Sequence, residues 1–208
     1  DFFHNTTDNL LTLKQLNYLT GLEYYWCNGG ALNNTGATIN LTARAINSKN
    51  LKWEIGASVG TYKNEITKLP DGTTFKSNKD GDLYGYTTDI YNATILSAVG
   101  QSAGVFFGYE TDGVYATAAD VPTVNGEPLS TQDVNTGVKT AFAAGDVKFI
   151  DQNGDNIINL QDRVIIGNPN PDLYGNISSS LMYKNFTLSA TLNYSLGNDV
   201  YNYQRSLL

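Results

Sequence analysis

One cysteine, Cys27, and one histidine, His4, are all the chain holds of either residue. A single thiol excludes an internal disulfide framework and any cysteine-based zinc site. A single imidazole leaves no triad or histidine-rich metal centre to assemble. Charge is sparse too: charged residues make up 16% of the chain, against roughly 25% in an average soluble protein. The balance is a net −7, with no basic stripe to meet a nucleic-acid backbone, so nucleic acid is excluded as a partner. No basic segment followed by an apolar one opens the chain, so no signal peptide is expected. Nor does any stretch approach the ~18 consecutive apolar residues of a membrane helix. That absence excludes helical spans only, because membrane strands leave a much weaker trace.

What is present favours strands. The chain carries 14 Tyr, 8 Phe and 20 Gly against only 5 Pro, and aromatic and β-branched residues separated by Gly, Asn and Asp build strands and turns. Three runs alternate with period two: ATINLTARA (37–45), LKWEIGASV (51–59) and FTLSATLNY (186–194). In the last, Phe186, Leu188, Ala190, Leu192 and Tyr194 share one face, and Thr187, Ser189, Thr191 and Asn193 share the other. A weaker run, NISSSLMY (176–183), precedes it. Each is close to the ~9–11 residues a tilted strand needs to cross a bilayer. A half-buried strand of a soluble sandwich also alternates. The length of the runs, their small or uncharged polar faces, and aromatics near their ends (Trp53, Tyr183, Phe186, Tyr194) point toward a membrane barrel.

The connections are lopsided. NSKN (47–50) and YKN (183–185) are tight turns, whereas residues 67–173 form one long interval rich in Gly, Asp and Asn. That interval holds 14 acidic and 6 basic residues, a net −8, and the remainder nets +1. Short periplasmic turns with long external loops are the pattern of outer-membrane barrels. The expected division is therefore barrel strands with an external loop over 1–66, an extracellular lobe over 67–173, and barrel strands again over 174–208. The expected fold class is all-β, with antiparallel strands forming part of a large transmembrane barrel.

Within the lobe, DQNGDNIINLQD (151–162) spaces oxygen-bearing residues as a calcium loop does. Positions one, three, five, seven, nine and twelve are Asp151, Asn153, Asp155, the carbonyl of Ile157, Asn159 and Asp162, with the aliphatic Ile158 at the eighth. Asn156 stands where such loops carry glycine, and Asp162 where they carry the longer glutamate. The plain alternative is a solvated Asp/Asn turn whose side chains bond their own backbone. Calcium here is expected to act as a structural clip that offsets the ordering of a long loop. No carboxylate in the loop is marked as buried beside a second, so no catalytic residue is expected.

The surroundings of that loop carry a resemblance. GDVKFIDQNGDNIINLQDRVIIGNPNPDLYGNISSSLMYKNFTLSATLNYSLGNDVYN (145–202) resembles the C-terminal region of the SusC/RagA family of TonB-dependent outer-membrane transporters. VGQSAGVFFGYETDGVY (99–115), NLKWEIGASVGTYKNEITKL (50–69) and the opening DFFHNTTDNLL are similar to further stretches of that family, in the same order. The resemblance implies a barrel in the bacterial outer membrane. It further implies energised, non-enzymatic import of an oligosaccharide or peptide, and a SusD-like surface lipoprotein as lid. TonB would be met through an N-terminal part that the chain does not contain. Transporters of this type have about 22 strands around a plugged lumen, so five or six strands read as an internal slice. The competing class is a soluble extracellular β-module that binds calcium and carbohydrate. Aromatics of the lobe (Tyr84, Tyr86, Phe106, Phe107, Tyr109, Tyr115) fit two roles, stacking on sugar rings or packing the lobe's own core.

Overall fold

The computed structural model describes residues 1–16, 21, 24–70, 72–77, 79–91 and 93–206. Three long strands come first: β1 (Phe2–Gln15), β2 (Tyr24–Asn47) and β3 (Leu51–Lys68). Twelve shorter ones follow. They are β4 (Thr73–Phe75), β5 (Leu83–Ile90), β6 (Ala93–Ala98), β7 (Val105–Tyr109), β8 (Thr111–Val114), β9 (Thr123–Val124) and β10 (Glu127–Pro128), then β11 (Ser130–Gln132), β12 (Lys139–Ala141), β13 (Val147–Phe149), β14 (Ile157–Ile158) and β15 (Arg163–Gly167). Two long strands close the order, β16 (Leu173–Tyr183) and β17 (Phe186–Leu196), before a short helix α1 (Tyr203–Ser206). No described helix is long and apolar enough to cross a membrane.

The chain divides into two units. The first takes residues 1–70, 100–103 and 168–201, and the second takes 71–99, 104–167 and 202–208. Residues 100–103 return from the middle of the long interval to the first unit.

The first unit is one antiparallel sheet in the order β1-β2-β3-β16-β17. Sequence order and spatial order agree, which makes it a meander whose strands alternate in direction. Both tight turns consequently lie at one end, and the interval 69–172 leaves β3 and enters β16 at the other. At the turn end, the Ser48 hydroxyl donates to the Leu51 carbonyl at 2.9 Å and accepts the Leu51 N–H at 3.2 Å. The other turn has only two residues, with Lys184 at φ +52. Its N–H donates to the Asn50 carbonyl at 2.8 Å, so the two turns are joined.

Register places the alternating runs on common faces. Leu41 pairs with Ala57, Ala57 with Ile177, and Ile177 with Leu192, which forms one apolar row across four strands. Four residues toward the turns, Trp53 pairs with Leu181, and Leu181 with Leu188. The opposite face carries Thr42, Gly56, Ser178 and Thr191 in one row.

The second unit contains a five-stranded antiparallel sheet, β15-β7-β6-β5-β4, and three smaller sheets. Leu83, Leu96, Ala98, Val105 and Phe107 form its first core, closed by Phe75 and Ile165. Tyr115, Val121, Leu129 and Ile158 form a second, with Tyr109, Phe142 and Phe149 packed on it. Each fully buried side chain such as Leu96 contributes about 1.5–3 kcal/mol through removal from water.

Candidate functional site

The first feature of functional weight is the apolar face of the long sheet. Its side chains are not covered: Phe186 is 79% exposed, Leu188 70%, Leu41 67%, Leu192 65% and Ile39 56%. Exposed apolar surface this continuous marks contact with lipid or another apolar partner. From Phe186 to Leu196 the belt runs about 33 Å along the strand, which is about 25 Å across a bilayer at the usual tilt. Aromatics frame it. Trp53, whose Nε1 donates to Ser179 Oγ at 3.0 Å, stands with Tyr183 and Phe186 near the turns, and Tyr194 stands near the other end.

Glycines set how these rings lie. The Tyr194 hydroxyl donates to the Ser58 carbonyl at 3.0 Å, so the ring passes over Gly175, where a Cβ would stand 2.7 Å from that hydroxyl. On the polar face Tyr174 lies over Gly60 in the same manner, 2.7 Å from where a Cβ would be. Each ring thus covers backbone that a side chain would otherwise hide.

Beyond the belt, β3 continues past the start of β16, and residues 100–103 and 168–172 join it there. Asn64 is central. Its Oδ1 accepts the Ala103 N–H at 2.9 Å, its Nδ2 donates to Asn34 Oδ1 at 2.7 Å, and its carbonyl accepts the Ser102 hydroxyl at 2.8 Å. Asn170 donates through Nδ2 to the Ala103 carbonyl at 3.1 Å and accepts the Tyr62 hydroxyl at 3.3 Å. Asn168 and Asp199 bond each other twice, N–H to carboxylate and N–H to carbonyl, both at 2.8 Å. Pro169 and Pro171 have no N–H to satisfy, so the asparagines between them carry the polar connections. The stretches GQSAG, GNPNP and GND, which the sequence sets far apart, meet in this one junction. A pocket of about 400 Å³ opens beside it, lined by Tyr62, Lys63, Asn64, Asn168 and Asp172 among others. Sequence reading missed the junction; asparagine alternating with proline was the available signal.

The Asp-rich loop closes on its own backbone. Asp151 accepts the N–H groups of Asn153, Gly154 and Asn156 at 3.2, 2.6 and 2.8 Å. Asn153 accepts from Asp155 at 2.9 Å, and Asp155 from Ile157 at 2.9 Å. Asn156 takes φ +64, the left-handed conformation that the sixth position of such a loop demands. Asn159 caps the turn that follows, accepting the Gln161 N–H at 2.8 Å. Asp162 is wholly buried and accepts N–H groups from Gln152 at 3.0 Å and Asn159 at 2.7 Å. Ile158 inserts into the second core of the lobe.

Burial pushes the Asp162 carboxyl above the ordinary carboxylate range, and the negative charges of Asp151 and Asp155 push the same way; the two N–H bonds oppose this. Among the described residues, no three acidic, histidine or cysteine side chains gather as a metal cluster. The donor types still suit calcium. A carboxylate offers about four acceptor positions, and Asp155 and Asp162 each use only two of theirs. The six sequence-predicted positions thus lie along one continuous segment, with acceptor capacity remaining on Asp155 and Asp162.

The lobe aromatics differ in burial. Phe107 and Tyr115 are 2% and 1% exposed and belong to the cores, whereas Tyr84 and Tyr86 remain 43% and 39% exposed.

No protein-family model matches the chain. Among curated proteins, TonB-dependent receptor P3 of Formosa agariphila is 29% identical over 209 residues, covering 98% of this chain and 19% of the receptor. TonB-dependent receptor SusC of Bacteroides thetaiotaomicron is 28% identical over 207 residues, covering 97% and 18%. The chain resembles SusC/RagA-type TonB-dependent receptors over nearly its whole length. A solved structure of the RagAB peptide importer in the closed-closed state matches the fold with a TM-score of 0.63 at 20% identity, covering 95% of this chain and 19% of that one. The chain spans about a fifth of the length of the SusC-type relatives it matches. The open five-stranded sheet is thus a section of a larger antiparallel barrel wall. Its exposed belt and its SusC/RagA-type sequence place it in the bacterial outer membrane.

Proposed function

We propose that the chain supplies part of the wall and an external lobe of a TonB-dependent outer-membrane importer. In this reading residues 1–66 and 174–208 belong to the wall and 67–173 are the extracellular lobe. The importer takes up glycans or peptides beneath a SusD-like surface lipoprotein, is energised by TonB through parts outside this chain, and makes or breaks no covalent bond in its cargo. The observation that carries the reading is the outward apolar belt, Phe186 to Leu196 and its register partners, with both tight turns at one end and the long interval at the other. A soluble β-module would need those same side chains in a core.

Calcium is proposed as a structural clip of the lobe. Asp162 is buried and repelled by Asp151 and Asp155, and a divalent cation held by Asp151, Asn153, Asp155, the Ile157 carbonyl, Asn159 and Asp162 would relieve that repulsion.

The full-length receptor tests the main reading. It should fractionate with outer membranes, migrate faster on a gel before heating than after, and lose uptake of oligosaccharide or peptide when TonB is removed. A detergent-free, monomeric, soluble protein would instead favour the β-module.

A further inference from the structure

The turn end of the wall is basic in a chain that is otherwise acidic. Residues 44–54 and 182–187 contain Arg44, Lys49, Lys52 and Lys184, with Glu54 the sole acid. Glu54 is engaged by Arg44 at 3.5 Å. Lys49, Lys52 and Lys184 are exposed and form no salt bridge with any described residue. The bond from the Lys184 N–H to the Asn50 carbonyl sets the two turns, and with them Lys49 and Lys184, side by side. The Lys184 ammonium lies 5.4 Å from the centre of the Tyr183 ring. Directly above are the outward aromatics Tyr183, 51% exposed, and Phe186, 79% exposed.

Aromatic rings at the edge of an apolar belt sit at headgroup depth, and lysines beyond them extend flexible stems toward lipid phosphates. A cluster of ammonium groups without protein counter-ions fits an anionic surface by charge. We infer that this rim is a binding surface for the headgroup phosphates of anionic phospholipids in the leaflet at the turn side, with Lys49 and Lys184 of the two turns as the contacts. The inference rests on the outer-membrane reading and adds the class of lipid that the wall selects.

The test titrates the full-length receptor in neutral detergent with phosphatidylglycerol or phosphatidylcholine and counts retained lipid by native mass spectrometry. Phosphatidylglycerol should be retained preferentially. Lys49→Gln and Lys184→Gln should each weaken that retention about fivefold, Lys→Arg at the same positions should preserve it, and Lys139→Gln in the lobe should leave it unchanged. Inorganic phosphate at equal concentration should not displace the lipid. Equal retention of the two lipids, glutamine variants that behave as the parent, or displacement by phosphate alone would each overturn the lipid surface. A receptor washed from membranes by carbonate contradicts the outer-membrane reading itself, whereas one that stays inserted without headgroup preference contradicts only this inference.

Discussion

The two units of this chain treat apolar side chains in opposite ways. In the lobe Leu96 and Val164 are completely removed from solvent, and Phe107 and Tyr115 nearly so. In the wall the large apolar residues point outward, and only Ala31 and Ile66 among the described apolar residues are buried. The same residue types thus stabilise two solvents' worth of structure. A leucine in the lobe leaves water for protein, and a leucine in the wall leaves water for lipid. The lobe can hold its cores in water, whereas the wall depends on a bilayer or detergent and on further strands at both of its edges.

Truncating a leucine in each unit should separate them most sharply. Leu96→Ala should destabilise the lobe by about 2–5 kcal/mol, because it opens a cavity in a closed core; chemical denaturation followed by lobe-specific hydrogen exchange would measure it. Leu192→Ala in the wall leaves no cavity and should fall well below that. Next in size, Leu192→Arg should cost about 2–4 kcal/mol, since the residue lies in the middle row of the belt. Reversible folding into lipid vesicles is the readout, and the lobe's melting should not move.

Calcium should act on the lobe alone. At a hundredfold excess over its dissociation constant it should add about 2.7 kcal/mol, and Asp151→Ala with Asp155→Ala should abolish the gain in calorimetry. The smallest effect concerns pH without calcium. The folded Asp162 carboxyl sits above its unfolded value, so the folded lobe holds that proton more tightly. Its contribution to stability therefore falls as pH rises through the window between the two values, and the penalty is complete above the folded one. Asp162→Asn should remove this falling component, read as the difference between the two stability–pH curves.

The strands next to the lipid were legible because alternation there is enforced. The runs 51–59 and 186–194 lie within β3 and β17. The run 37–45 lies in the second half of β2, whose first half, from Tyr24, carries Asn and Gly without strict alternation. Above the belt one face no longer needs to be apolar, so the period weakens while the hydrogen-bonded ladder continues. The lobe's sheet was less visible for a different reason. Short apolar stretches such as ATILSA and VFFGY read equally as strand or as buried loop, and only their partners in the register decide. The spacing of Asp and Asn at 151–162 is a property of the sequence itself. That Ile158 anchors the loop in a core, and that Asn168 and Asn170 knit distant stretches together, depended on contacts across the chain.

One face of the long sheet should meet lipid and the other water. Single cysteines placed at each position from 186 to 196 of the full-length receptor, in a Cys27→Ser background and labelled in a bilayer, test it directly. A period of two is expected, with positions 188, 190 and 192 quenched by a lipid-soluble reagent and positions 189, 191 and 193 reached from the aqueous phase. Uniform access to the aqueous reagent, or no alternation between neighbours, would contradict it.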